Sequence, residues 1–318
     1  MNSIGGYFGL ELPTGEHYHQ HAIRLNSSRN SLEYILKAKH YKKIYVPYYT
    51  CKAMLEPIEK CNIDYEFYSI NEQFEPVKEY HLSSGEVFLY TNYFGVKNEA
   101  VERLAGIYRQ QLIVDNAQAF YAKPIAGIDT IYSARKFFGV ADGGYLYTDT
   151  LLEGEEFEYD MSFNRMSHLL KRVELSAEYA YVEFVVNDKS LEYNSIRKMS
   201  KLTDRILMGV DYESIKKKRR ENFLFLDAAL KKDNLWKIGL SSDTVPMVYP
   251  FYNKSYLWEK LIANKIYVAS YWPNVREWCN KNQIEFTLTN HLIPFPVDQR
   301  YGTEDLQRII DFLASSDL

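Results

Sequence analysis

Short apolar runs alternate with amphipathic stretches through the first half of the chain. Residues 22–26 read as a strand, and Ser28 is placed to cap a helix whose apolar stripe is Leu32, Ile35 and Leu36. A second strand, 43–46, is stopped by Pro47, and Thr50 is placed to cap a helix carrying Met54, Leu55 and Ile58. Strands follow at 65–68, 87–90 and 112–115, with a Gly95 loop and a helix over 99–108 between the last two. Segments 130–133 and 144–147 complete the set. Strands separated by helices at this rhythm predict a mostly parallel sheet covered on both faces.

The second half is patterned differently. Residues 151–232 are largely helical and charged, and the run from Lys216 to Arg220 is expected to be a solvated helix face. Strand candidates at 245–249 and 266–270 precede a final amphipathic helix over 304–313, with Leu306, Ile309, Ile310 and Leu313 on one side. The expected fold is α/β with a small C-terminal α+β domain. The expected boundaries are 1–205 for the large domain, with an N-terminal arm over about 1–20, and 206–318 for the small one.

Composition narrows the function classes. A net charge of −4 argues against nucleic-acid or anionic-membrane partners, which favour a basic surface. No apolar run reaches spanning length, and the N-terminus lacks a signal pattern. Three cysteines without metal-ligand spacing fit a reduced cytoplasm and no metal centre. His17, His19 and His21 are expected to be surface histidines on the arm, not metal ligands. The 28 tyrosines are expected mainly in packing. No Gly-x-Gly-x-x-Gly follows the first strand and no Gly-x-Ser-x-Gly occurs, which sets aside dinucleotide dehydrogenases and serine hydrolases.

The chemistry-bearing pattern lies between 112 and 144. Asp115 ends an apolar strand, where open α/β sheets bind ligands, although a strand-end carboxylate also serves as a plain helix cap. Lys136 follows the next strand end, flanked by Phe137 and Phe138 and followed by Gly139 and Gly143-Gly144. Apolar surroundings disfavour an ammonium and favour a nucleophilic amine. The glycines permit tight turns and close approach to a flat ligand. A lysine that forms an imine and an aspartate that keeps a pyridine nitrogen protonated are what pyridoxal 5′-phosphate (PLP) chemistry requires. The turn 26–32, with Arg29, Asn30 and a helix N-terminus, suits a phosphate, and equally suits an ordinary capped helix. Ser133 offers a hydroxyl to the same phosphate. Gln118 is spaced to bond a cofactor's ring oxygen or to cap the next helix.

Together these segments resemble the DegT/DnrJ/EryC1/StrS sugar aminotransferases, a branch of the type I PLP fold. The resemblance runs in order through 26–32, Val46-Pro47-Tyr48-Tyr49-Thr50, Asn92-Tyr93-Phe94-Gly95, Val114-Asp115-Asn116-Ala117-Gln118-Ala119 and Lys136 with Gly143-Gly144. It continues through Val245-Pro246-Met247, Tyr271-Trp272-Pro273 and Leu292-Ile293-Pro294-Phe295-Pro296. It implies Lys136 as the Schiff-base lysine, Asp115 at the pyridine nitrogen, Gln118 at the ring oxygen, and Arg29, Asn30 and Ser133 at the phosphate. It also implies a homodimer, a nucleotide-linked keto-sugar acceptor and an amino donor such as glutamate. The chain departs from the family at Ser28-Arg29, where a Gly-Thr pair is usual, and in Ser133, three rather than five residues before the lysine. Two alternatives follow from the same resemblance: a catalytically silent sugar-binding homologue, or a sugar dehydratase. In dehydratases of the family a histidine replaces the lysine, and Lys136 weighs against that reading.

Overall fold

The computed structural model describes residues 4–152, 154 and 156–316; the first three residues of the expected arm lie outside them. Strands β1 (Ile23–Leu25), β2 (Lys43–Pro47), β3 (Asp64–Tyr68), β4 (Glu86–Thr91), β5 (Leu112–Asn116), β6 (Asp129–Ser133) and β7 (Gly144–Tyr147) form one sheet. Its order is β1-β7-β6-β5-β4-β2-β3. The pairs β2–β3, β2–β4, β4–β5 and β5–β6 are parallel, whereas β7 runs antiparallel to both β6 and β1.

Period-2 alternation splits each strand between two cores. Leu25, Ile44, Val46, Val87, Leu89, Ile113, Ile131 and Leu146 face one layer, which contains α1 (Ser28–Lys39) and α2 (Leu55–Lys60). Tyr45, Phe88, Tyr90, Leu112, Val114, Tyr132 and Tyr145 face the other, together with α3 (Asn98–Tyr108). Both faces are covered, as a parallel sheet requires.

Downstream come α4 (Ser167–Glu174), α5 (Ala177–Lys189), α6 (Lys201–Met208) and α7 (Tyr212–Leu230). An antiparallel pair, β8 (Val248–Tyr252) and β9 (Leu292–Pro296), flanks α8 (Trp258–Ala263), α9 (Val275–Trp278) and α10 (Ile284–His291); α11 (Thr303–Ala314) ends the chain. Phe223, Leu226, Tyr249, Phe251, Ile293, Phe295, Leu306 and Leu313 make a third core here. Helix α6 runs unbroken through the expected 205/206 boundary. Among the described residues no helix is long and apolar enough to cross a membrane.

Several expectations need correction. The cap of α1 is Ser27, which accepts from the Asn30 amide at 3.2 Å; Ser28 is the first helical residue. Thr50 caps nothing. The turn after it is held by Asn274, whose side chain accepts from the Lys52 amide at 3.2 Å and donates to the Thr50 carbonyl at 2.9 Å. Residues 266–270 form no strand; β9 is the partner of β8 instead, despite Pro294 and Pro296. In a two-stranded sheet each strand has a free edge, so a missing N–H breaks no ladder on that side. Arg219 is not on a solvated face: it is 1% exposed, since helical periodicity turns one member of the basic run inward. His17 and His19 are buried, not at the surface. His17 pairs with the Tyr145 hydroxyl at 2.7 Å and Asp204 at 3.1 Å, and His19 with the Phe120 carbonyl at 2.7 Å.

Candidate active site

The site stands at the carboxyl edge of the parallel strands. In β5, Asp115 projects to the same face as Ile113, the α1 face, and in β6 Ser133 projects to that face with Ile131. Thr91 of β4 is the register partner of Asp115 and shares that orientation. The strand after β6 turns through Ala134–Lys136 in a single 3₁₀ turn, which brings Lys136 to the same edge. Parallel pairing of β5 with β6 therefore makes Asp115 and Lys136 neighbours, although 21 positions separate them in the chain.

Close approach of α1 completes the edge. A Cβ on Gly144 would sit 2.5 Å from the Ser27 carbonyl carbon and 2.9 Å from the Ser28 nitrogen, so only glycine lets the start of α1 pack here. Gly143, at φ +119°, donates its N–H to the Asn26 carbonyl at 2.6 Å. The Gly-Gly pair thus fastens the turn before α1 to the loop that carries Lys136. Asp142, next to that pair, is buried and accepts from the Ser200 amide and hydroxyl, each at 2.7 Å, and from the Thr203 hydroxyl.

Charges at the edge are unequal in cost. Asp115 is buried, and desolvation pushes its carboxyl up to about 6, opposed by the Ala117 N–H at 2.9 Å and by the charge of Lys136. Lys136 is solvent-accessible, yet surrounding protein desolvates its amine and lowers its pKa below the ordinary lysine range, with Arg135 acting in the same direction. Among the described residues Lys136 forms no ion pair.

The remaining expected residues divide. Arg29 stands in the first turn of α1, 12% exposed, with its Nε 3.3 Å from a Glu56 carboxylate oxygen. Ser133 is buried at the strand end. Gln118 is buried, and its Oε1 accepts from the Phe94 amide at 2.8 Å, which ties it to the loop after β4; its amide nitrogen is not used in that bond. Asn30 departs from expectation. Its backbone N–H goes to Ser27, its Oδ1 accepts from the Arg197 amide at 3.2 Å, and its Nδ2 donates to the Asn194 carbonyl at 3.5 Å. Asn30 is committed to holding the 194–197 segment because one helical step turns it away from the edge.

Groups absent from the sequence-based set also converge here. Asn26, 1% exposed, has neither amide atom hydrogen-bonded. Arg135 donates to Asp188 of α5 at 2.7 Å. From the C-terminal part, Arg219 (3.4 Å) and Gln299 (2.8 Å) both donate to the carbonyl of Phe137, the residue after Lys136. The period-2 pattern of β4 carried a signal for Thr91. Nothing local marks Asp188, Arg219 or Gln299, whose contacts span 53 to 162 positions.

The overall structure is shared with known enzymes. Sugar aminotransferase CalS13 of Micromonospora echinospora superposes with a TM-score of 0.61 at 12% identity, over 93% of this chain and 87% of that one. A DegT DnrJ EryC1 StrS aminotransferase of Brucella abortus gives 0.61 at 14% identity, over 92% and 85%. DesV of S. venezuelae, solved in complex with a ketimine intermediate, gives 0.63 at 15% identity, over 92% and 83%. The chain has the fold of the sugar aminotransferases. No family model and no curated protein matches its sequence.

Against that fold, PLP can be tested on this chain's own residues, and they fit. An accessible amine lies beside a buried carboxylate at one edge. A buried amide with two unbonded polar atoms stands where α1 begins, and the Gly-Gly cradle keeps that helix start close. Lys136, Asp115, Gln118, Ser133 and Arg29 would hold the group.

Proposed function

We propose that this chain is a PLP-dependent aminotransferase that converts a nucleotide-linked keto sugar to an amino sugar. The observation that carries the reading is the desolvated, accessible and unpaired Lys136 next to buried Asp115 at the carboxyl edge of β5 and β6. Bound PLP supplies an aldehyde that accepts an amine and a ring that withdraws electrons from the adjoining carbon. Lys136 is the residue that would hold that aldehyde covalently. Its Nζ would also carry a proton to or from the substrate carbon, a role that a depressed pKa favours near neutrality. Asp115 would hold the pyridine nitrogen of that ring, its carboxylate favouring the protonated form. Gln118 would orient the ring through its amide nitrogen, while Ser133, Arg29 and the free N–H groups of α1 would receive the phosphate. A reducing cytoplasm suits the free thiols Cys51, Cys61 and Cys279.

The test is a half-reaction. Protein loaded with PLP and mixed with glutamate is expected to exchange its imine absorbance for that of the pyridoxamine form, and a nucleotide-linked keto sugar is expected to reverse the change. A protein that binds PLP but responds to no amino donor would instead be a silent homologue.

A homodimer is part of the proposal. On α4 and α5, Leu170, Val173, Tyr179, Tyr181, Val182 and Phe184 are 47–86% exposed, an apolar surface larger than monomers usually leave in water. Sedimentation equilibrium is expected to give twice the 37.4 kDa chain mass. The double variant Val173→Asp, Val182→Asp is expected to give the single mass. A wild-type monomer at micromolar concentration would remove the dimer from the proposal.

A further inference from the structure

Arg29 in the first turn of α1, Arg135 and Lys136 all act on the charge of one carboxylate, the half-exposed Asp188 of α5. Arg135 is 14% exposed and donates to Asp188 at 2.7 Å, the one ion pair it makes among the described residues. Arg29 already has Glu56. The placement of Asp188 is held by its neighbour: Asn187, 1% exposed, donates to the Ala141 carbonyl at 2.9 Å, within the loop that runs from Lys136 to Gly143. All three cations draw the Asp188 carboxyl below its ordinary range, against the burial that opposes them. Beside this cluster the first N–H groups of α1 and the unbonded amide of Asn26 make the surroundings suited to an anion.

We propose that Asp188 is an internal counter-anion for this phosphate site, and that an incoming phosphoryl group competes with it for Arg135. The proposal rests on the reading of this edge as the cofactor site. A dianion at the head of α1 attracts the Arg135 guanidinium, which favours bidentate oxygen pairs, and repels the Asp188 carboxylate. Exchange of one anion for the other breaks the Arg135–Asp188 pair and leaves the Asn187 bond to the Ala141 carbonyl as the tie between α5 and the lysine loop.

Inorganic phosphate is the probe, titrated calorimetrically into the full-length cofactor-free protein. Asp188→Asn keeps the side chain's shape and removes its charge, and is expected to bind phosphate about tenfold tighter. Asp188→Ser must shift affinity in the same direction. Arg135→Gln is expected to weaken phosphate binding, and in that background Asp188→Asn should lose most of its effect. Unchanged or weaker phosphate binding by both Asp188 variants would overturn the proposal and leave Asp188 a structural anchor. Borohydride reduction of PLP-loaded wild type, followed by peptide mass mapping, separately reports whether Lys136 carries the cofactor. That result bears on the functional reading, whereas the phosphate titration needs no covalent link.

Discussion

Lys136→Ala is expected to reduce turnover by at least about 10³-fold and to eliminate covalent attachment of PLP, while leaving the protein folded. The size follows from the two roles placed on one nitrogen. Proton transfer by a positioned side chain is worth about 10²–10⁴-fold, and loss of covalent anchoring adds to that. A 10³-fold loss corresponds to about 4 kcal/mol of transition-state stabilisation. Stability is expected to move the other way. The folded-state pKa of Lys136 lies below that of the unfolded chain, chiefly through desolvation and then through Arg135. A depressed lysine binds its proton less tightly when folded, so its charge works against folding wherever the unfolded amine is protonated, and the penalty fades only as pH rises towards the ordinary lysine pKa. Alanine removes that penalty at neutral pH. Thermal unfolding of the variant at or above the wild-type midpoint, together with a borohydride-treated peptide map without a cofactor adduct, is the expected result. An adduct at wild-type level in the alanine variant would move the attachment point to another amine.

How much of this site could be read from the chain depends on how local each contact is. The seven strands of the main sheet show in short apolar runs, and the strand ends at Asp115 and Ser133 follow directly from them. The Lys136 to Gly-Gly spacing shows in the chain as a motif, although its cause is not local: Gly144 is demanded by the backbone of Ser27 and Ser28 at the distant start of α1. The small sheet was less legible. Two prolines in β9 mask a strand, and an apolar run at 266–270 imitates one without finding an edge to pair with. Charge was least legible. The sequence shows Arg219 within a basic run, but only the packing of α7 against the Phe137 carbonyl reveals it as a buried donor. Asn30 lies in the expected phosphate turn, yet the 194–197 segment, more than 160 positions away, takes its side chain. Polar partners are chosen by tertiary placement, which hydrophobic periodicity does not encode.

Asp115→Asn is expected to make the cofactor-free protein more stable and the enzyme nearly inert. The wild-type carboxyl is raised from 3.8 to about 6, with desolvation dominant over the Ala117 hydrogen bond and the charge of Lys136. A carboxyl raised in the folded state favours folding at low pH, and that contribution is lost as pH rises through about 6. At pH 8 the folded chain therefore carries an ionised group held out of water at a cost of about 3 kcal/mol. Asparagine keeps an oxygen for the Ala117 N–H and has no charge to desolvate. In chemical denaturation the variant is expected to exceed wild type by about 2–3 kcal/mol at pH 8, and the gap is expected to close as pH falls from 6 towards 4. Such a cost is retained in an evolved core where it serves chemistry. On the proposed reading the carboxylate would pair with a protonated ring nitrogen, so cofactor is expected to stabilise wild type far more than the variant. Asparagine would not keep the ring nitrogen protonated, and turnover is expected to fall by about 10²–10³-fold. A variant that is less stable than wild type across pH 4–8, or that keeps full turnover, would show that the buried carboxylate serves the sheet and not the cofactor.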